Sequence, residues 1–139
     1  MSIRFKSHQI KGDGIGSKQV FPTINLRVPG EDFDLETGVY AAFCTIDATR
    51  YRTALHYGPR PTFEKTANTI ELYILSKNIK PNKKNQEIEV ELIEKIRPIK
   101  AFATASDLKT QIKEDILKIN EILNKKPLRT PVRLESLPN

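Results

Sequence analysis

Apolar positions in the first two-thirds of the chain come in short runs, several of them with a period of two. In Glu87–Ile96 the apolar Ile88, Val90 and Leu92 alternate with Glu87, Glu89 and Glu91, as in a strand with one face on a core and the other in water. Five further segments, Ile3–Ile10, Thr23–Val28, Val39–Ile46, Tyr51–Tyr57 and Thr69–Leu75, concentrate β-branched and aromatic residues and are also expected to be strands. Gly12–Gly16, Pro29-Gly30, Glu36–Gly38, Gly58–Pro61 and Lys77–Asn85 separate them with turn and loop chemistry. After Ala101 the period lengthens: Leu108, Ile112, Ile116, Ile119, Ile122 and Leu123 recur three or four residues apart, predicting one amphipathic helix. Thr104 followed by Asp107 fits a capping box at its start, and Pro127 and Pro131 prevent its continuation. The expected fold is mainly β, a closed or nearly closed six-stranded antiparallel barrel over residues 1–126 with a C-terminal α-helix covering an opening or a face. Residues 127–139 are expected to form a loosely held tail.

At 139 residues the chain suits one domain. Its longest uncharged apolar stretch, Val39–Ile46, falls far short of the ~20 residues a membrane helix needs, and Met1–Lys11 lacks the apolar run of a secretory signal. With one cysteine an internal disulfide is excluded, and a reducing cytoplasm is the expected compartment. Lys and Arg outnumber Asp and Glu by 23 to 17, for a net charge of +6, which admits anionic partners. The basic residues are interleaved with acids, as on an ordinary solvated surface. Six phenylalanines, four tyrosines and no tryptophan offer little to a stacking platform for single strands, so no nucleic-acid partner is expected despite the basic charge. A closed barrel has no edge that demands a partner, and a monomer is expected.

The densest chemical signal is the run from Gly12 to Leu26. Gly12, Gly14 and Gly16 let a backbone turn sharply and bring N–H groups onto an anion such as phosphate, and Lys18 adds a point charge on a flexible stem. The order of residues is not that of a Walker A loop, and a flexible hairpin loop accounts for the glycines equally well. Thr23 and Asn25, two apart, leave one face of a strand and offer hard oxygen ligands for Mg²⁺; local turn hydrogen bonds after Pro22 are the plainer alternative. Glu71 shares a face with Thr69, Tyr73 and Leu75, opposite Ile70, Leu72 and Ile74. It is placed either to take a proton from a substrate hydroxyl or simply to face water. His8 and His56 have no cysteine or acid at zinc-ligand spacing, and Cys44 sits in an apolar strand as a core residue.

Gly12-x-Gly-x-Gly-Ser-Lys-Gln-x-x-Pro-Thr-x-Asn25, then Gly38-Val-Tyr-Ala41, Gly58-x-Arg-Pro-Thr-Phe63, Glu71 and Ile96-Arg-Pro-x-Lys-x-Phe102 occur in that order. Together they resemble the riboflavin kinase (flavokinase) family from about Lys11 to Leu123, and in particular the kinase module of bacterial bifunctional riboflavin kinase/FAD synthetases as a stand-alone chain. The resemblance implies a six-stranded Greek-key barrel that moves the ATP γ-phosphoryl group, with Mg²⁺, to the 5′-hydroxyl of riboflavin, giving FMN and ADP. By position it implies Gly12, Gly14, Gly16, Lys18, Thr23, Ile74 and Ser76 along ATP, and Thr23 and Asn25 on Mg²⁺. It further implies Glu71 as catalytic base, and Arg97, Lys100 and Phe102 on the flavin. Three departures stand out: Val20 where the family usually has glycine, the segment from Lys77 to Gln86 without the usual Asp-x-Tyr-Gly, and His56 where asparagine is common. They leave open a second reading, a catalytically weak flavin- or nucleotide-binding regulatory module of the same fold.

Overall fold

The computed structural model describes residues 3–10, 23–30, 32–59, 68–76, 86–125 and 133–134. They form β1 (Ile3–Ile10), β2 (Thr23–Leu26), β3 (Gly38–Ile46), β4 (Thr49–Gly58), β5 (Thr69–Ile74), β6 (Glu87–Arg97), α1 (Ala105–Asn124) and β7 (Arg133–Leu134). The six expected strands and the helix are all present, within about two residues of their expected bounds. The first six strands are antiparallel to their neighbours in the order β3-β6-β1-β2-β5-β4, and β4 closes the ring by pairing with β3. β7, within the segment expected to be loosely held, returns to the barrel and pairs parallel with Thr49 and Arg50 at the start of β4.

Period-two alternation decides what fills the barrel. Ile24 and Leu26 of β2, Leu55 of β4, Ile70, Leu72 and Ile74 of β5 and Ile88 and Val90 of β6 are buried together inside. A second cluster lies outside the wall: Val39, Ala41, Phe43, Ala54, Leu75 and Ile96 pack against Ile119 and Leu123 of α1. The helix therefore covers one face of the barrel. Its first turn is capped as the sequence indicates, with the Asp107 N–H donating to Thr104 Oγ1 at 3.1 Å.

β6 serves both clusters because it changes register against β3 twice. Val39 faces Arg97 but Tyr40 faces Lys95, and Ala41 faces Glu94 but Ala42 faces Leu92. The extra residues, Ile96 and Ile93, join the cluster under the helix, as bulges re-aim side chains in curved sheets. At Gly38 the wall is tight: a Cβ there would lie 2.5 Å from Lys95 Cε and 3.0 Å from the Arg97 carbonyl oxygen. The β3–β4 hairpin turns in two residues, Asp47 and Ala48, both at positive φ (49° and 65°), the twist that a two-residue hairpin needs.

Cys44 is fully buried in the interior and accepts a hydrogen bond from Thr53 Oγ1 at 3.2 Å. Burial pushes its thiol up to about 12. The unfolded chain therefore loses this proton first, and stability falls as pH rises from about 9 towards 12. Urea unfolding across that range is expected to show a decline that is shallower in Cys44→Ala, and the native thiol is expected to resist thiol reagents at pH 8. Equal slopes for the two proteins would contradict the assignment.

Candidate active site on the outer face of the barrel

On β2, Ile24 and Leu26 point inward, so Thr23 and Asn25 point outward. On β5, Ile70, Leu72 and Ile74 point inward, so Thr69, Glu71 and Tyr73 point outward. The two strands are neighbours in a register that sets Asn25 directly opposite Glu71 and Thr23 opposite Tyr73. Three side chains singled out from the sequence, Thr23, Asn25 and Glu71, thus meet on one outer patch. Directly opposed residues of an antiparallel pair hold their Cβ atoms within about 5.5 Å. Tyr73 joins them and donates its hydroxyl to Glu71 Oε1 at 3.0 Å.

The row continues around the barrel. Glu71 faces His56 on β4, His56 faces Val39 on β3, and Val39 faces Arg97 on β6. The ring returns from β6 to β2 through β1. Beside Arg97, Lys100 and Phe102 gather: the Arg97 guanidinium carbon lies 5.8 Å, and Lys100 Nζ 5.5 Å, from the Phe102 ring centre. Both fall within reach of a cation–π attraction.

Arg97 is fixed by the helix. Its Nε donates to Asp115 Oδ1 and Oδ2 at 3.0 and 3.1 Å, and its Nη2 to Oδ2 at 2.9 Å. Gln111 Nε2 adds a further bond to Oδ1 at 2.9 Å. Asp115 is itself buried. A second cation, Arg52 of β4, is buried beneath the end of α1, where it donates to the Asn120 carbonyl and Oδ1 at 3.3 and 3.1 Å and to Asn124 Oδ1 at 2.6 Å. Its described partners are uncharged oxygens at the negative end of the helix dipole, and burial holds its guanidinium below the ordinary arginine value.

The remaining site residues divide. Gly12, Gly14, Gly16 and Lys18 lie outside the described residues, in the connection that leaves Ile10 and returns at Thr23. Ser76 is buried just beyond β5, next to Leu75, whose N–H donates to the Arg52 carbonyl at 2.9 Å. Ile74 points into the interior and is fully buried, so a ligand on the outer face meets its backbone and not its side chain. Asp115, Gln111 and Tyr73 were not among the residues singled out from the sequence. Asp115 did carry a signal, because it completes the three-or-four spacing of Leu108, Ile112, Ile119 and Ile122 as a charge on the apolar stripe of the helix.

The molecule is thus a small closed β-barrel with polar side chains of β2, β5 and β4 meeting on its outer wall and a cation–aromatic cluster beside the helix-covered Val39. The riboflavin kinase (flavokinase) family model matches residues 1–123. The bifunctional riboflavin kinase/FMN adenylyltransferase of Buchnera aphidicola is 30% identical over 116 residues, covering 83% of this chain and 37% of that protein. The RNA-binding riboflavin kinase RibR of Bacillus subtilis is 27% identical over 129 residues, covering 92% of this chain and 54% of that protein. Among solved structures, riboflavin kinase from Trypanosoma brucei superposes with a TM-score of 0.58 at 21% identity, covering 99% of this chain and 96% of that one. The chain belongs to the riboflavin kinase family. It spans about 37% to 54% of the length of these two curated relatives.

Removing the Asp115 carboxylate strands a guanidinium in a largely buried setting, whereas replacing both partners with apolar groups does not. Asp115→Ala is expected to cost about 3 kcal/mol in urea unfolding, and the double variant Arg97→Met, Asp115→Leu to recover most of it. A loss under about 1 kcal/mol for Asp115→Ala would show that the pair does not anchor the helix.

Proposed function

We propose that this chain transfers the γ-phosphoryl group of ATP, with Mg²⁺, to the 5′-hydroxyl of riboflavin, giving FMN and ADP. The observation that carries the reading is the row from Asn25 through Glu71 to Arg97. It sets a carboxylate beside a pair of oxygen ligands, and the same wall carries a cation–aromatic cluster at Arg97 and Phe102; riboflavin likewise joins a flat aromatic ring system to a polar chain that ends in a hydroxyl. Membership of the family supports the same reaction.

In this reading Phe102, Arg97 and Lys100 hold the flavin ring and its polar edge. Thr23 and Asn25 supply a hydroxyl and an amide oxygen, neutral hard donors that suit Mg²⁺ when phosphate oxygens and water complete its shell. The bound cation would offset charge on the nucleotide phosphates. Gly12, Gly14, Gly16 and Lys18 cradle those phosphates, with Ser76 and the Ile74 backbone along the nucleotide. Glu71 takes the proton of the 5′-hydroxyl as that oxygen bonds to the γ-phosphorus and the bond from phosphorus to the bridging oxygen breaks, releasing ADP. Tyr73, donating to Glu71 Oε1, fixes the carboxylate's rotamer. The partners are riboflavin, FMN, ATP and ADP, and the chain acts as a cytoplasmic monomer.

Incubation with riboflavin, ATP and Mg²⁺ is expected to yield FMN and ADP in equal amounts by chromatography. Flavin binding without FMN formation would overturn the proposal in favour of a binding module. Glu71→Gln is expected to lower kcat on the order of 10²- to 10⁴-fold with its melting temperature retained; turnover at the wild-type level would remove Glu71 as the base. Thr23→Ala is expected to raise the Mg²⁺ concentration needed for half-maximal rate several-fold, and an unchanged Mg²⁺ dependence would count against that ligand.

A further inference from the structure

His56 occupies the position on β4 directly opposite Glu71. It points outward, because its neighbours Leu55 and Tyr57 are buried inside the barrel, and it is half-buried. Its surroundings on that face are one-sided. Along β4 the outward neighbours are Ala54 and Gly58, and a Cβ on Gly58 would meet Ile99 Cγ1 at 3.0 Å. On the β3 side the outward residues are Val39, opposite His56, and Ala41, opposite Ala54, both buried in the cluster under the helix. On the β5 side they are Thr69, Glu71 and Tyr73. Arg97, one strand beyond Val39, is committed to Asp115. Among the described residues around it, the imidazole therefore has apolar neighbours on three sides and oxygen atoms on the fourth, with Glu71 as the one carboxylate directly opposite.

We propose that His56 is a positioning residue for Glu71, its ring N–H holding the carboxylate from the β4 side as the Tyr73 hydroxyl holds it from β5. The inference rests on the reading of Glu71 as the base. A carboxylate that must meet one hydroxyl proton benefits from a single rotamer, and a small misplacement at a reacting centre costs rate far more than it costs substrate binding. His56 then acts through Glu71 and touches neither substrate.

The test is a double-mutant cycle on kcat and KM, with melting temperatures recorded for each variant. His56→Ala is expected to lower kcat about 10- to 100-fold while KM for riboflavin and for ATP stays within about threefold. His56→Gln, which keeps an N–H donor, is expected to recover kcat to within about fivefold of wild type, and it carries the test if His56→Ala does not fold. In a Glu71→Gln background, His56→Ala is expected to change kcat by less than about twofold. A full additional loss in that background, a loss confined to KM, or wild-type turnover in His56→Ala would overturn the positioning role and leave the base reading standing. Wild-type turnover in Glu71→Gln alone would overturn the base reading, and this inference with it.

Discussion

Closure of the sheet is the constraint on which everything else depends. β3 bonds to β4 along one edge and to β6 along the other, so neither edge is left to solvent and each residue of the strand is fixed as inward or outward. Once the ring is closed, moving one strand by a single residue would turn its whole apolar set onto the wrong face. The fully buried Ile24, Leu55, Ile70, Leu72, Ile74, Ile88 and Val90 resist that shift, each side chain stabilised by roughly 1.5–3 kcal/mol on burial. The site inherits this rigidity. Asn25 and Glu71 face each other because their inward neighbours cannot do otherwise.

The helix is held by the same wall through a different balance of forces. Ile119 and Leu123 supply the apolar contact, and two arginines from the barrel supply the polar one. Arg97 meets a buried carboxylate in the middle of α1. Arg52 meets the Asn120 carbonyl and the Asn124 amide oxygen near its end, and the last turn carries no basic residue of its own. The barrel thus provides the positive charge that the dipole at the end of α1 favours. Such contacts add direction to the apolar packing, because a guanidinium bonding two carboxylate oxygens tolerates little rotation. The cation–aromatic cluster at Phe102 is positioned by the bond that docks the helix.

Local features were legible in the sequence to a high degree. Alternation in Glu87–Leu92, the outward set of Thr69, Glu71 and Tyr73, the apolar stripe of α1 and its Thr104 cap all follow from spacing alone. What the sequence withheld is non-local or geometrical. Nothing in residues 23–26 says that they pair with residues 70–73, yet that pairing brings Thr23, Asn25, Glu71 and Tyr73 onto one patch. Two register shifts in β6 break the alternation and send Ile93 and Ile96 to the outer cluster; only the shape of the closed wall demands them. The hairpin at Asp47-Ala48 lacks the glycine that usually marks positive φ. Ile74 follows the same rule: period two, visible in the same six residues, places its side chain in the core.

A barrel with both edges of its wall satisfied can be joined to other segments without being rebuilt, since nothing in its closure depends on a neighbour. Specific chemistry must therefore come from outward positions, which the interior leaves unconstrained. In this chain Asn25, Glu71 and His56 are such positions, brought together on adjacent strands from parts of the chain far apart in sequence, whereas Arg97 is tied to the buried Asp115 of the helix. A wall of fixed pitch thus holds outward side chains from distant parts of the sequence at set spacings, whatever segments surround it.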